Sequence, residues 1–103
     1  MADFRVHAGT DGVFYLAGEL DLVSADGLER EVLMFLAAQG DVVFDVTDLS
    51  FVDSTGIRSF LRVAREITPR CLILRRPQRH VAHVLEIVGV HSFGIRVELD
   101  PEE

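Results

Sequence analysis

Apolar and polar residues alternate along two short stretches near the start of the chain, Phe4-Arg-Val-His-Ala8 and Val13-Phe-Tyr-Leu-Ala17, which flank Gly9-Thr-Asp-Gly12. Period-two alternation on both sides of an Asp-Gly pair predicts a β-hairpin. Gly18-Glu-Leu-Asp-Leu22 then leads to Ser24, a suitable N-cap, and the spacing predicts a helix from there to about residue 39, closed by Gly40. Leu28, Val32, Phe35 and Leu36 supply its inward face, and the unbroken apolar run at 32–36 extends its burial to more than one side. Val42-Val-Phe-Asp-Val46 has the near-continuous apolar character of a strand covered on both faces. The period then becomes helical. Ile57, Phe60, Leu61, Ala64 and Ile67 form one apolar stripe, Arg58, Arg62 and Arg65 fall on the opposite face, and Pro69 stops the helix. A buried strand at 71–74 and a basic, proline-containing connection follow. A last helix, carrying Val81, Val84, Leu85 and Val88 inward, ends at Gly89, and a short alternating strand spans 95–99.

The resulting order is β-β-α-β-α-β-α-β. Its strand–helix–strand alternation implies an α/β fold with a mixed, mostly parallel sheet, right-handed crossovers and helices on at least one face. With 103 residues there is room for one core, assigned to residues 1–99, with an acidic tail at 100–103. A formal charge of −7 argues against nucleic acid or an anionic lipid surface as the main partner. No apolar run approaches the roughly 20 residues that cross a bilayer, and Met1-Ala-Asp-Phe-Arg lacks the pattern of a signal peptide. The expected location is therefore cytoplasmic, with no direct membrane insertion. Cys71 is the only cysteine and reads as a small core residue, while all ten basic residues are arginine. The absence of lysine removes a P-loop lysine and Schiff-base chemistry.

The stretch with the most chemical content is Asp48-Leu-Ser-Phe-Val-Asp-Ser-Thr-Gly56, running straight into the amphipathic helix. A strand-to-helix turn there points backbone N–H groups and the Ser54 hydroxyl at solvent, beside the positive end of a helix dipole. Either Asp53 or Ser54 suits the N-cap, and on residue chemistry alone capping is the favoured role for Ser54. A nucleophilic serine is disfavoured, because the small residue needed before a nucleophile elbow is missing. His80 and His83 stand three apart on the last helix without a neighbouring cysteine, so a solvated pair beside Arg76 and Arg79 is expected rather than a metal site. Asp21, Asp48 and Asp53 each fall near a strand end. If gathered on one sheet edge they would offer a cation site, a negative patch for a protein partner, or caps for helices and turns.

Three segments together resemble the STAS domain, the sulfate transporter and anti-sigma factor antagonist family: Leu16-Ala-Gly-Glu-Leu-Asp21, Asp48-Leu-Ser-Phe-Val-Asp-Ser-Thr-Gly-Ile57, and residues 72–94 with their late helix. The central segment is the specific one. The resemblance covers essentially the whole chain and implies a free-standing bacterial anti-sigma factor antagonist, a binding module rather than an enzyme, with no cofactor. It implies Ser54 as a phosphorylation site, with capping as a second role, and a contact surface including Asp21, Asp48, Asp53, Thr55, Gly56 and Arg58. The implied partners are an anti-sigma factor Ser/Thr kinase of histidine-kinase-like ATPase fold and a phosphatase that resets Ser54. The rival expectation is a cytosolic STAS accessory subunit of a membrane transporter complex, using a similar surface without modification of Ser54.

Overall fold

In the computed structural model, which describes residues 3–99, the expected order of elements is found. They are β1 (Arg5–Ala8), β2 (Phe14–Leu20), α1 (Ala25–Met34), β3 (Val42–Val52), α2 (Ser54–Ile67), β4 (Leu72–Arg75), α3 (Arg79–Val88), a 3₁₀ turn (Val90–Phe93) and β5 (Ile95–Glu98). The acidic tail expected at 100–103 lies outside the described residues. The strands lie in the order β1-β2-β3-β4-β5. β1 is antiparallel to β2, and every other pairing is parallel. Three right-handed crossovers that all step the same way along the sheet put α1, α2 and α3 on one face and leave the other without a helix.

Alternation along the strands fills the covered face. Phe14, Leu16 and Leu20 of β2 and Phe44, Val46 and Leu49 of β3 are buried against Leu28 and Val32 of α1 and Ile57, Phe60 and Val63 of α2. Phe44 sits at the centre, edge-on to Phe14 at 5.9 Å and to Phe60 at 5.8 Å between ring centroids. Such pairs add about 0.5–1.5 kcal/mol beyond the area they bury.

Three expectations need correction. α1 ends at Met34 rather than near 39, and Leu33, Met34 and Phe35 are exposed. Only Ala25, Leu28 and Val32, at helical spacing, are buried within α1. Leu36, beyond the helix, still packs partly against the core. Val88 is exposed too, leaving Val81 and Leu85 as the buried residues of α3.

The third correction concerns β3, which continues to Val52 because its polar second half pairs with β2 through two register shifts. It is not covered by helices on both faces. On the helix-free face Asp45 is shielded by Arg75, whose Nε and Nη2 reach its Oδ2 at 3.1 and 3.0 Å, and by Arg76 at 3.7 Å.

Candidate functional site

The turn between β3 and α2 is held from both sides. Leu20 and Val52 are register partners, and the Asp53 N–H donates to the Leu20 carbonyl at 3.2 Å, fixing the turn to the end of β2. Asp53 has extended backbone and its Oδ1 accepts from the Gly56 N–H at 2.9 Å, so Asp53 is the N-cap. Gly56 is buried against β2. A Cβ there would stand 2.8 Å from the Leu20 carbonyl oxygen and 2.6 Å from Val52 Cγ2, so only glycine fits without movement.

Ser54 is thereby the first residue of α2 and not its cap. It is exposed, and its hydroxyl makes no hydrogen bond among the described residues. It stands beside the helix N-terminus, where the early N–H groups have no intrahelical acceptor and the dipole favours negative charge. Thr55 is half-buried, and Arg58, one turn further on, is exposed. Arg62 is drawn away, 3.5 Å from Glu29 of α1.

Asp21 follows directly on Leu20, next to the Asp53 turn. Its Oδ1 accepts from the Val23 N–H and the Ser24 hydroxyl, both at 3.1 Å, and its own N–H donates to Ser24 Oγ at 3.0 Å. This knot sets the loop before α1 in a defined shape and turns Leu22 and Val23 outward, 72% and 90% exposed. Two aliphatic side chains so exposed beside an acidic turn form a small amphipathic surface. Sequence reasoning missed them, although an apolar pair between a strand end and a helix cap is a readable signal.

Asp48 is elsewhere. It pairs with Ala17, three positions back from Leu20 along β2, on the helix-free face. At about 3.3 Å per residue that is roughly 10 Å from the turn. It lines a cavity of about 410 Å³ with Arg5, His7, Tyr15 and Asp45. The structure thus brings together Asp21, Asp53, Ser54, Thr55, Gly56 and Arg58, but not Asp48. Among the described residues no group of three or more His, Cys, Asp or Glu side chains could hold a metal ion. His80 is tied by Nε2 to the Ser50 carbonyl at 2.5 Å.

The titratable groups with displaced pKa values lie on the helix-free face instead. Burial pushes the Asp45 carboxyl up, but hydrogen bonds from Thr47 and the Arg75 guanidinium outweigh it and hold it below the ordinary range. Tyr15 is raised, chiefly by donating to Asp11 at 2.7 Å.

The molecule is thus an open-faced α/β sheet whose second helix starts at an Asp53 cap with Ser54 exposed beside it. The STAS domain model matches residues 2–103, and the chain belongs to that family. Among solved structures, the anti-sigma factor antagonist SpoIIAA in its unphosphorylated form is similar over 97% of this chain and 91% of that one, with 22% identity and a TM-score of 0.70. An anti-sigma factor antagonist of Thermotoga maritima, so assigned provisionally, gives 16% identity over 96% of this chain and 88% of its own, with a TM-score of 0.73. The phosphorylated form of the Bacillus cell-fate determinant SpoIIAA gives 22% identity, 97% and 95% coverage, and 0.62. At these identities the likeness shows the fold. A search of curated proteins returns no significant match. Among the described residues no helix is long and apolar enough to cross a membrane.

Proposed function

We propose that this STAS domain is an anti-sigma factor antagonist whose affinity for its partner is controlled by phosphorylation of Ser54. In this reading the unmodified protein binds an anti-sigma factor kinase of histidine-kinase-like ATPase fold and so releases a sigma factor. The kinase phosphorylates Ser54 and lets go, and a phosphatase resets the protein. The observation that carries the reading is the division of roles at the turn: Asp53 caps the helix, leaving Ser54 exposed and its hydroxyl uncommitted. The similar SpoIIAA is known in both an unphosphorylated and a phosphorylated form, which supports the reading by analogy.

The surface around Ser54 suits a protein partner. Leu22 and Val23 offer apolar contact beside it, and Asp21, Asp53 and Arg58 offer polar contact. A phosphoserine brings about −1.5 to −2 charges at pH 7. At a fitted interface that dianion, beside Asp53, meets steric overlap and like-charge repulsion of several kcal/mol. Two or three units of about 1.4 kcal/mol each suffice to dissociate a sub-micromolar complex at cellular concentrations.

The test is capture of partners from host lysate by Ser54→Ala and Ser54→Asp proteins, with identification by mass spectrometry. An ATPase-fold kinase retained by the alanine protein and lost by the aspartate one is expected. Transport subunits retained by both would move the assignment to an accessory subunit of a transporter. Ser54→Ala should change stability by less than about 0.5 kcal/mol, so a lost partner could not be blamed on unfolding.

A further inference from the structure

Far from the Ser54 turn, a groove of about 1020 Å³ runs between α3, the 3₁₀ turn and β5, and reaches the C-terminal end of α2. Its position follows from the topology. β5 is the last strand of the sheet, with no neighbour on its outer side among the described residues, and α3, which packs chiefly against β3, leaves a gap beside it. This end lies at the far end of the 14-residue α2 from Ser54, a span of about 20 Å at 1.5 Å per residue. A ligand here need not compete with a partner at the turn.

The lining is apolar in its floor and cationic at its rim. Ala82, Leu85, Ile95 and Val97 line it, and Phe93 and Leu99 stand at its margin, 57% and 63% exposed. In a chain of net charge −7, three arginines but only one carboxylate, that of Glu86, line this groove. Two of those guanidiniums are engaged: Arg70 donates to the Ala37 carbonyl at 2.8 Å and Arg96 pairs with Glu98 at 3.3 Å. Arg79, exposed at the start of α3, has no partner among the described residues. One guanidinium uncommitted among the described residues, beside an apolar trough, calls for one negative charge on an apolar body. A polyphosphate would bring more charge than Arg79 can match, and a neutral hydrocarbon would leave it unused. The volume is ample for such a ligand.

We propose that this groove binds a fatty-acid-like monocarboxylate, its chain along Ala82, Leu85, Ile95 and Val97 and its carboxylate on Arg79. The probe is decanoate, titrated below its micelle-forming concentration into ¹⁵N-labelled protein and followed by amide chemical shifts. Saturable shifts confined to α3, the 3₁₀ turn and β5 are expected, with a dissociation constant below about 1 mM. Arg79→Gln should raise that constant about tenfold, the value of a charge-assisted hydrogen bond at an accessible site, and Arg79→Lys should restore most of it. Decyltrimethylammonium, with the same chain and the opposite charge, should give no saturable shift. A dissociation constant above about 1 mM, equal binding of the cationic amphiphile, or indifference to Arg79→Gln would each overturn the proposal. So would shifts of the same residues on simple dilution, which would mean that a second copy fills the groove. Saturation by an acidic peptide but not by decanoate would assign the groove to a protein partner instead.

Discussion

Replacing Gly56 by alanine puts a methyl group where no rotamer can relieve it. The added Cβ stands 2.6 Å from Val52 Cγ2, 2.8 Å from the Leu20 carbonyl oxygen and 2.9 Å from Leu20 Cγ, one of these being backbone that cannot swing aside. The start of α2 must therefore move away from β2. Overpacking of this kind costs about 1–3 kcal/mol, offset by the roughly 1 kcal/mol that alanine gains over glycine inside a helix. The net loss should be about 0–2 kcal/mol. Gly27 provides the matched control, because it too is helical but a Cβ there meets nothing within 4 Å. Gly27→Ala should therefore gain about 0.5–1 kcal/mol. In a domain of this size 1 kcal/mol moves Tm by about 4–8 °C. The two variants should separate, Gly56→Ala by up to about 16 °C below the wild type and Gly27→Ala about 2–8 °C above it. Thermal and guanidinium unfolding followed by circular dichroism would measure both. A Gly56→Ala protein as stable as Gly27→Ala would refute the close approach, and with it the idea that backbone contact with β2 fixes where Ser54 stands.

Asp53→Ala should cost about 1 kcal/mol by removing the N-cap, whereas Asp53→Asn, an equally good cap, should leave urea midpoints nearly unchanged while removing the charge beside Ser54; equal losses in both would mean that the charge and not the cap stabilises α2. Asp45 should show in the acid limb of stability. Its folded-state pKa lies below the unfolded value of about 4. Its contribution is therefore fully present above that value and lost as pH falls through the lower folded one. Asp45→Asn should flatten the decline of stability below about pH 4 in a urea series, and an acid limb identical to wild type would dismiss the Asp45–Arg75 pair as its source.

The parts of the fold legible in the chain are those where one physical signal acts alone. α2 announces itself by apolar spacing, by Asp53 and Gly56 at its start and by Pro69 beyond its end, and it runs from Ser54 to Ile67. Gly89 takes a left-handed conformation (φ 74°) and ends α3 as its position suggests. Legibility fails where pairing overrides pattern. Thr47, Asp48 and Ser50 look like a turn, yet Asp48 and Leu49 pair with Ala17 and Gly18 of β2, and Thr47 and Ser50 are absorbed at the two register shifts that carry β3 on to Val52. That override carried Asp48 into the middle of a strand and away from Asp53. The run Leu33-Met34-Phe35 failed for the opposite reason. It is apolar enough to be buried, but burial depends on what faces it, and nothing among the described residues does. The exposed Leu22 and Val23 are of the same kind, since only the Asp21–Ser24 knot decides that they point outward.

The separation of cap from modifiable hydroxyl decides how a phosphate at Ser54 would act. If Ser54 were the cap, its oxygen would already accept a backbone N–H, and modification would exchange one helix-stabilising contact for another. With Asp53 holding the cap, the phosphate is an addition. In the free protein it gains about 0.3–1 kcal/mol from the helix N-terminus. It loses about 1 kcal/mol by repulsion from Asp53, taking about 1.5 negative charges about 6 Å from a carboxylate in water. These nearly cancel, so the fold should barely register the modification. Under a docked partner the effective dielectric falls about fourfold, and the same repulsion grows to about 4 kcal/mol before any steric overlap is counted. Such a charge would be almost neutral for folding and decisive for binding, which is the asymmetry that a reversible partner switch requires.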